Sequence, residues 1–160
     1  MRAPQVAVIG AGVADDVLAA RAFEVGQLLA AAGCVVVCGG LGGVMESVAR
    51  GARSRGGTVV GILPGTDPAA ANDGISLAVA TGIGHARNLA VVASGQVVVA
   101  VGGAWGTASE IALARVLGRP VVVLDPGPPI DGEGVHHAPT PERAVDLALG
   151  LAGLRPAPAG

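Results

Sequence analysis

Three stretches of the chain carry residue types and spacings that suit binding of an anion. The first is Val101-Gly102-Gly103-Ala104-Trp105-Gly106-Thr107-Ala108-Ser109-Glu110, preceded by the valine-rich run from Gln96 and followed by an alanine-rich helical stretch to Leu117. A strand, a glycine turn and a helix start in that order present free backbone N–H groups to a negatively charged group. The glycines let the backbone approach a ligand with no Cβ in the way. The only tryptophan of the chain, Trp105, lies inside this turn. The second stretch, Gly39-Gly40-Leu41-Gly42-Gly43, repeats the arrangement ahead of the helical Val44 to Arg55. The third, Thr81-Gly82-Ile83-Gly84-His85-Ala86-Arg87-Asn88, runs into the helical Leu89 to Ser94. There Arg87 sits near a helix start, where the dipole disfavours a cation. Either it has an anionic partner, or it is an exposed arginine with its stem laid along the surface.

Glu110 also has two readings. Thr107-Ala108-Ser109-Glu110 fits a capping box, with Thr107 capping the helix and Glu110 reaching back to its N–H. Alternatively, Glu110 is a carboxylate beside the ligand, kept ionised by the helix N-terminus. Gly10-Ala11-Gly12 supplies another glycine turn, but Asp15 stands where a dinucleotide fingerprint needs its third glycine. Asp15-Asp16 instead suits the start of a helix running to about Ala32.

Strands are expected at Gln5 to Gly10, Cys34 to Cys38, Thr58 to Leu63, Leu77 to Ala80, Gln96 to Val101 and Pro120 to Leu124. Runs such as Gln-Val-Val-Val-Ala-Val are apolar at consecutive positions, so both faces should be buried, as in a parallel sheet covered by helices. Strands and helices alternate along the chain, which predicts one doubly wound, mostly parallel α/β domain over 1–154 and a frayed tail over 155–160. Asp125 to Pro139 reads as a long loop containing His136-His137. A last helix follows from Thr140 to about Leu154, capped by Thr140-Pro141-Glu142. In such a sheet the glycine turns all belong on the edge formed by the carboxyl ends of the strands, where ligands bind.

Composition narrows the chemistry. The 160 residues are 51% hydrophobic and 14% charged, with a net charge of −2, and all ten basic residues are arginine. Without lysine the chain supports neither a phosphate-loop NTPase nor a pyridoxal-phosphate Schiff base. It has no basic run or aromatic platform for nucleic acid. Mean hydropathy is +0.64, yet glycines and charges interrupt every apolar run short of the roughly 18–20 residues of a membrane span. Met1 to Pro4 leads straight into a strand without a signal pattern, so a soluble, cytoplasmic protein is expected. Cys34 and Cys38 lie roughly 13 Å apart along a strand, too far for a disulfide, and read as two core thiols on one face. The histidine pair lacks partners at metal-ligand spacing. Neither a metal nor a resident cofactor is expected. Arg50, Arg53 and Arg55 read as a solvated helix end.

Taken together, Gly39-Gly-Leu-Gly-Gly-Val-Met45, His85-Ala-Arg-Asn88 and Gly102-Gly-Ala-Trp-Gly-Thr-Ala-Ser-Glu110 resemble the "Lonely Guy" (LOG) or lysine-decarboxylase-like proteins. The chain is most similar to their short bacterial, Rossmann-like nucleotide-binding relatives, a group similar to molybdenum-cofactor carrier proteins. The resemblance spans roughly Val6 to Leu124. LOG enzymes hydrolyse the N-glycosidic bond of nucleoside 5′-monophosphates. By resemblance Arg87 matches their catalytic arginine and Glu110 their glutamate, while Gly106 and Thr107 match the phosphate-binding turn. The ligand-binding set expected on and beside these glycine turns is Gly10, Gly12, Gly39, Gly40, Gly42, Gly43, Met45, Asn88, Gly102, Gly103, Trp105, Gly106 and Thr107. Three positions depart from the LOG pattern. Val101 replaces the proline of a turn that is one residue longer here, Asn88 replaces a lysine, and Gln96 stands where an aspartate is expected. The resemblance implies binding of a nucleotide or related phosphorylated ligand, with phosphoribohydrolase activity through Arg87 and Glu110. The alternative is a non-catalytic carrier or sensor, such as a molybdenum-cofactor carrier. It also implies a homodimer or larger homo-oligomer.

Overall fold

The computed structural model describes residues 2–154; the tail expected to fray lies outside them. The elements run β1 (Gln5–Gly10), α1 (Asp16–Ala31), β2 (Val35–Cys38), α2 (Val44–Ser54), β3 (Val59–Leu63), β4 (Leu77–Ala80), α3 (Arg87–Ser94), β5 (Val97–Val101), α4 (Trp105–Val116), β6 (Val121–Leu124), β7 (Val135–Ala138) and α5 (Pro141–Leu151). The strands form one parallel sheet in the order β4-β3-β2-β1-β5-β6-β7. This is the doubly wound domain that the unbroken valine runs predict.

Both faces of the sheet are covered. In β1, Val6 and Val8 belong to the core shared with α1, α2 and α5, whereas Ala7 and Ile9 belong to the core shared with α3 and α4. All four are at most 3% exposed. Burial of alternate residues in two separate cores explains why the strand carries no polar residue from Val6 to Ile9. Against the first core, α1 and α2 approach backbone to backbone. A Cβ on Gly26 would fall 2.1 Å from the carbonyl oxygen of Val48, and one on Gly51 would fall 1.9 Å from that of Phe23.

The helix starts follow the sequence in two places. Asp15 caps α1, its carboxylate accepting from the N–H of Leu18 at 2.8 Å. Thr140 caps α5 by accepting from the N–H of Arg143 at 3.2 Å, with Pro141 at the first helical position. Both cysteines are free and buried in the same core cluster.

Several expectations are corrected. The stretch read as a loop from Asp125 to Pro139 contains β7, an edge strand paired in parallel with β6. Its Val-His-His-Ala sequence has no apolar run because three of its four positions are only partly buried. Helix α3 begins at Arg87 rather than Leu89, and α4 begins at Trp105 rather than Ala108. Helix α5 ends at Leu151, short of the expected Leu154. The arginine-bearing end of α2 is exposed, as expected of a solvated helix end, and makes surface contacts. Arg50 pairs with Glu46 at 2.7 Å, and Arg53 donates to Ser76 Oγ at 3.3 Å. Among the described residues no helix is long and apolar enough to cross a membrane.

Candidate functional site

From β1 the chain builds outward through β2, β3 and β4, then returns to place β5 on the other side of β1. The loops leaving the carboxyl ends of β1 and β5 therefore diverge, opening the crevice at which doubly wound sheets bind ligands. A cleft of about 600 Å³ occupies it, a volume within the usual range for a small-molecule site. Its floor is apolar, from Val8, Ile9 and Val91. Gly10, Ala11 and Gly12 follow β1, Gly39 and Met45 follow β2, and Gly103, Ala104, Gly106, Thr107 and Glu110 follow β5. His85, Arg87 and Asn88 close it from the start of α3.

Arg87 is 8% exposed and Thr107 3%, a notable burial for polar residues on the wall of an open cleft. The exposed, surface-laid reading of Arg87 is thereby excluded. Its Nη1 donates to Asn88 Oδ1, while Nε is buried without a hydrogen-bond partner. An unpaired N–H on a buried guanidinium is costly, and the neighbouring opening is where a partner can enter. Burial draws the Arg87 pKa down, and the nearby Glu110 and Cys38 act against that shift. Beneath the guanidinium, Cys38 is a buried thiol pushed up to about 11, its Sγ 3.9 Å from the carbonyl oxygen of Met45.

The turn after β5 resolves the two readings of Glu110. Ala104, not Thr107, occupies the cap position of α4, and no side chain caps that helix. Thr107 is already inside the first turn, so the capping-box geometry is absent. Helix α4 thus begins with N–H groups that no cap satisfies, and these are the groups an anion takes. Gly103 makes the tight entry, with φ +101° and a virtual Cβ only 2.0 Å from Thr107 Oγ1. Helix α2 likewise starts without a side-chain cap, at Gly43.

Glu110, one turn further along α4, is partly buried on the cleft wall. Burial pushes its carboxyl up to about 7, although Arg87 pulls the other way. Burial thus opposes the ionised form that the sequence reading expects at this helix start. Arg87 and Glu110 share the cleft, yet among the described residues no ion pair joins them.

Of the predicted ligand-binding residues, Gly10, Gly12, Gly39, Met45, Asn88, Gly103, Gly106 and Thr107 line the cleft together with Arg87 and Glu110. Gly40, Gly42, Gly43 and Gly102 do not, and two of them, Gly43 and Gly102, pack tightly behind it. A Cβ on Gly43 would fall 2.3 Å from the carbonyl oxygen of Ala11, and one on Gly102 would fall 2.7 Å from Leu18. The N–H of Val44 donates to Ala11 at 2.9 Å, tying the second glycine turn to the first. Trp105 stands 90% exposed and is not part of the cleft wall. Sequence reasoning missed His85 as a wall residue, although it lies two positions before Arg87 in a motif already singled out. The apolar floor carried no signal of its own, because its residues are indistinguishable from core valines.

The histidine pair is built into the fold. His137 Nδ1 lies 3.0 Å from Asp125 Oδ1, and Nε2 lies 2.9 Å from the carbonyl oxygen of Ile130 and 3.2 Å from Asp131 Oδ1. No group of three or more metal-ligating side chains is found among the described residues.

The comparisons with known proteins agree with this architecture. An uncharacterized protein of Archaeoglobus fulgidus is 45% identical over 149 residues, which is 93% of this chain and 97% of that protein. The molybdenum cofactor binding protein of the phototrophic bacterium Rippkaea orientalis superposes with a TM-score of 0.86 at 34% identity, covering 94% of this chain and 98% of that one. The molybdenum cofactor carrier protein of Chlamydomonas reinhardtii gives 0.87 at 33% identity, covering 95% and 99%. The model of the SLOG cluster4 family matches residues 3–148. With nearly the whole chain matched and the LOG-type resemblance of its glycine turns thus accounted for, the chain belongs to the SLOG cluster4 family.

Proposed function

We propose that the chain binds a phosphorylated small molecule of the molybdenum-cofactor type in this cleft and carries it without chemical turnover. The observation that carries the reading is the buried Arg87 guanidinium, its Nε unpartnered, on the wall shared with the uncapped start of α4. Together they suit a phosphate: the helix N–H groups take its oxygens and the guanidinium supplies charge and a directed N–H. The apolar floor of Val8, Ile9 and Val91, with the polarizable Met45 beside it, suits a flat ring system. The ligand is cargo, not a resident cofactor. The two solved relatives described as binding or carrying this cofactor match over nearly their whole length, which favours this reading over hydrolysis.

Hydrolysis of a nucleoside 5′-monophosphate to base and ribose 5-phosphate is the second reading, favoured by one observation. Burial in the cleft pushes the Glu110 carboxyl up to about 7, where a carboxyl exchanges protons readily at neutral pH. In that reaction water adds at the anomeric carbon, the C–N bond breaks and the base departs with its electron pair and a proton. Glu110 would stabilise the oxocarbenium-like ribose or orient the water, and Arg87 would hold the phosphate.

One experiment separates the two. The protein is incubated with molybdenum cofactor and, separately, with a panel of nucleoside 5′-monophosphates, and followed by size-exclusion chromatography and NMR. Retention of unaltered cofactor, lost in Arg87→Ala, with no free base from any nucleotide, is the expected result. Free base released in a manner abolished by Glu110→Gln establishes the hydrolase instead. The same proposal places the protein in the cytoplasm as a homodimer or larger assembly, which light scattering checks.

A further inference from the structure

Charge in the cleft is nearly balanced before any ligand arrives. Arg87 faces Glu110 from α3, and it is the charged group from a neighbouring element that acts on that carboxyl. His85 stands exposed on the rim just before α3, and Cys38 acts on Arg87 from β2. The floor strands offer only apolar side chains and glycine, and Thr107 on α4 is neutral. An incoming phosphate therefore meets one cation and one carboxylate with no ion-pair partner, both in a desolvated site where like charges repel strongly.

We propose that the cleft takes up its phosphorylated ligand together with one proton, which resides on the carboxyl of Glu110, so that rising pH releases the ligand. The inference rests on the anion-binding reading above. No covalent bond changes: a proton from solvent joins one carboxylate oxygen, and the neutral carboxyl donates a hydrogen bond where the ion would repel. Burial already holds this carboxyl at about 7, so the added proton is cheap near neutrality, and a bound anion favours it further. Such coupling gives a carrier a means of release that needs no chemical step.

The probe is inorganic sulfate, a dianion throughout the range from about pH 6 to 9, so its own titration adds nothing. Its dissociation constant is measured by calorimetry across that range for the native chain, Glu110→Gln, His136→Gln and Arg87→Ala. Native affinity is expected to fall by up to about tenfold per pH unit above the Glu110 pKa. In Glu110→Gln the profile becomes flat, with tighter binding than the native chain at the alkaline end, while His136→Gln, on β7 outside the cleft, retains the native profile. A flat native profile, or a slope that survives in Glu110→Gln, overturns the coupling. If sulfate binds in an Arg87-dependent but pH-independent way, only the coupling falls. If the native chain holds no more sulfate than Arg87→Ala at any pH, the anion site itself falls, and the coupling with it.

Discussion

The guanidinium of Arg87 lies directly against Gly39. A Cβ at residue 39 would fall 2.8 Å from Arg87 Nη2 and 3.0 Å from Cζ, and 2.7 Å from Met45 Sδ. Gly39 is therefore a seat for the arginine at the carboxyl end of β2, rather than a residue serving only the turn. It is what allows a long cationic side chain to lie flat and buried at the edge of the sheet.

Gly39→Ala should accordingly push Arg87 or Met45 out of place. Overpacking of this kind typically costs about 1–3 kcal/mol of stability, and anion affinity should fall roughly tenfold or more as the N–H groups lose their aim. Denaturant unfolding and sulfate titration of the same preparation measure both. An unchanged affinity would mean that the arginine does not address the ligand.

Arg87→Met should move stability and binding in opposite directions. It removes a buried cation with an unpartnered Nε and supplies an apolar chain of similar length, so thermal stability should rise by a few degrees, or about 1 kcal/mol. Binding of a phosphorylated ligand should weaken roughly 10- to 100-fold, the usual worth of a charge-assisted hydrogen bond. Arg87→Lys should recover only part of it, because a point charge does not replace the planar fork.

Glu110 should make stability fall with pH on the neutral side. Its folded pKa of about 7 lies above the ordinary 4.5, so the native state holds the proton more tightly than the unfolded chain. The associated stability is complete below the unfolded value, declines as pH rises between the two, and is lost above the folded one, a span worth about 3 kcal/mol. Glu110→Gln should remove that slope and be more stable than the native chain by roughly 1–3 kcal/mol near pH 8. Denaturation midpoints across the range provide the check.

His137 should contribute in the same sense from a different part of the fold. Its two ring nitrogens face acceptors on both sides, Asp125 and the carbonyl of Ile130, and only the protonated ring donates to both. The hydrogen bond to Asp125 is the largest cause of its raised pKa, followed by that to Ile130. The stability is present below the unfolded pKa and is lost as pH rises through the folded one. His137→Gln should cost about 1 kcal/mol on the acid side and little on the alkaline side. Equal losses at both ends would show that the ring holds the loop as a neutral donor.

The sheet was legible because β1, β5 and β6 are valine runs buried on both faces, a pattern that leaves few other architectures. Strand β7 was not, because an edge strand with partly buried positions need not be apolar, and His136-His137 conceals it. The carboxyl-end turns were legible from their glycines, and the wall residues Arg87 and Glu110 from their motifs. What spacing did not reveal was which glycines face the cleft and which hold its walls. Gly39 and Gly43 sit in one five-residue turn, yet one lies beneath Arg87 and the other packs on Ala11 and Gly12. The capping box failed for a similar reason. Thr107 and Glu110 have the right separation, but the chain turns into helix at Trp105, three residues after Gly102, and leaves the threonine inside the first turn.

The proposed role of this cleft is to carry a phosphorylated cofactor intact. Its most direct test loads the purified chain with molybdenum cofactor, removes free ligand, and then mixes it with a cofactor-free molybdenum enzyme whose activity reports transfer. The native chain should retain the cofactor, Arg87→Ala should lose it, and the retained cofactor should restore enzyme activity. Failure of the native chain to retain more cofactor than Arg87→Ala, or recovery of only degraded ligand, would contradict it.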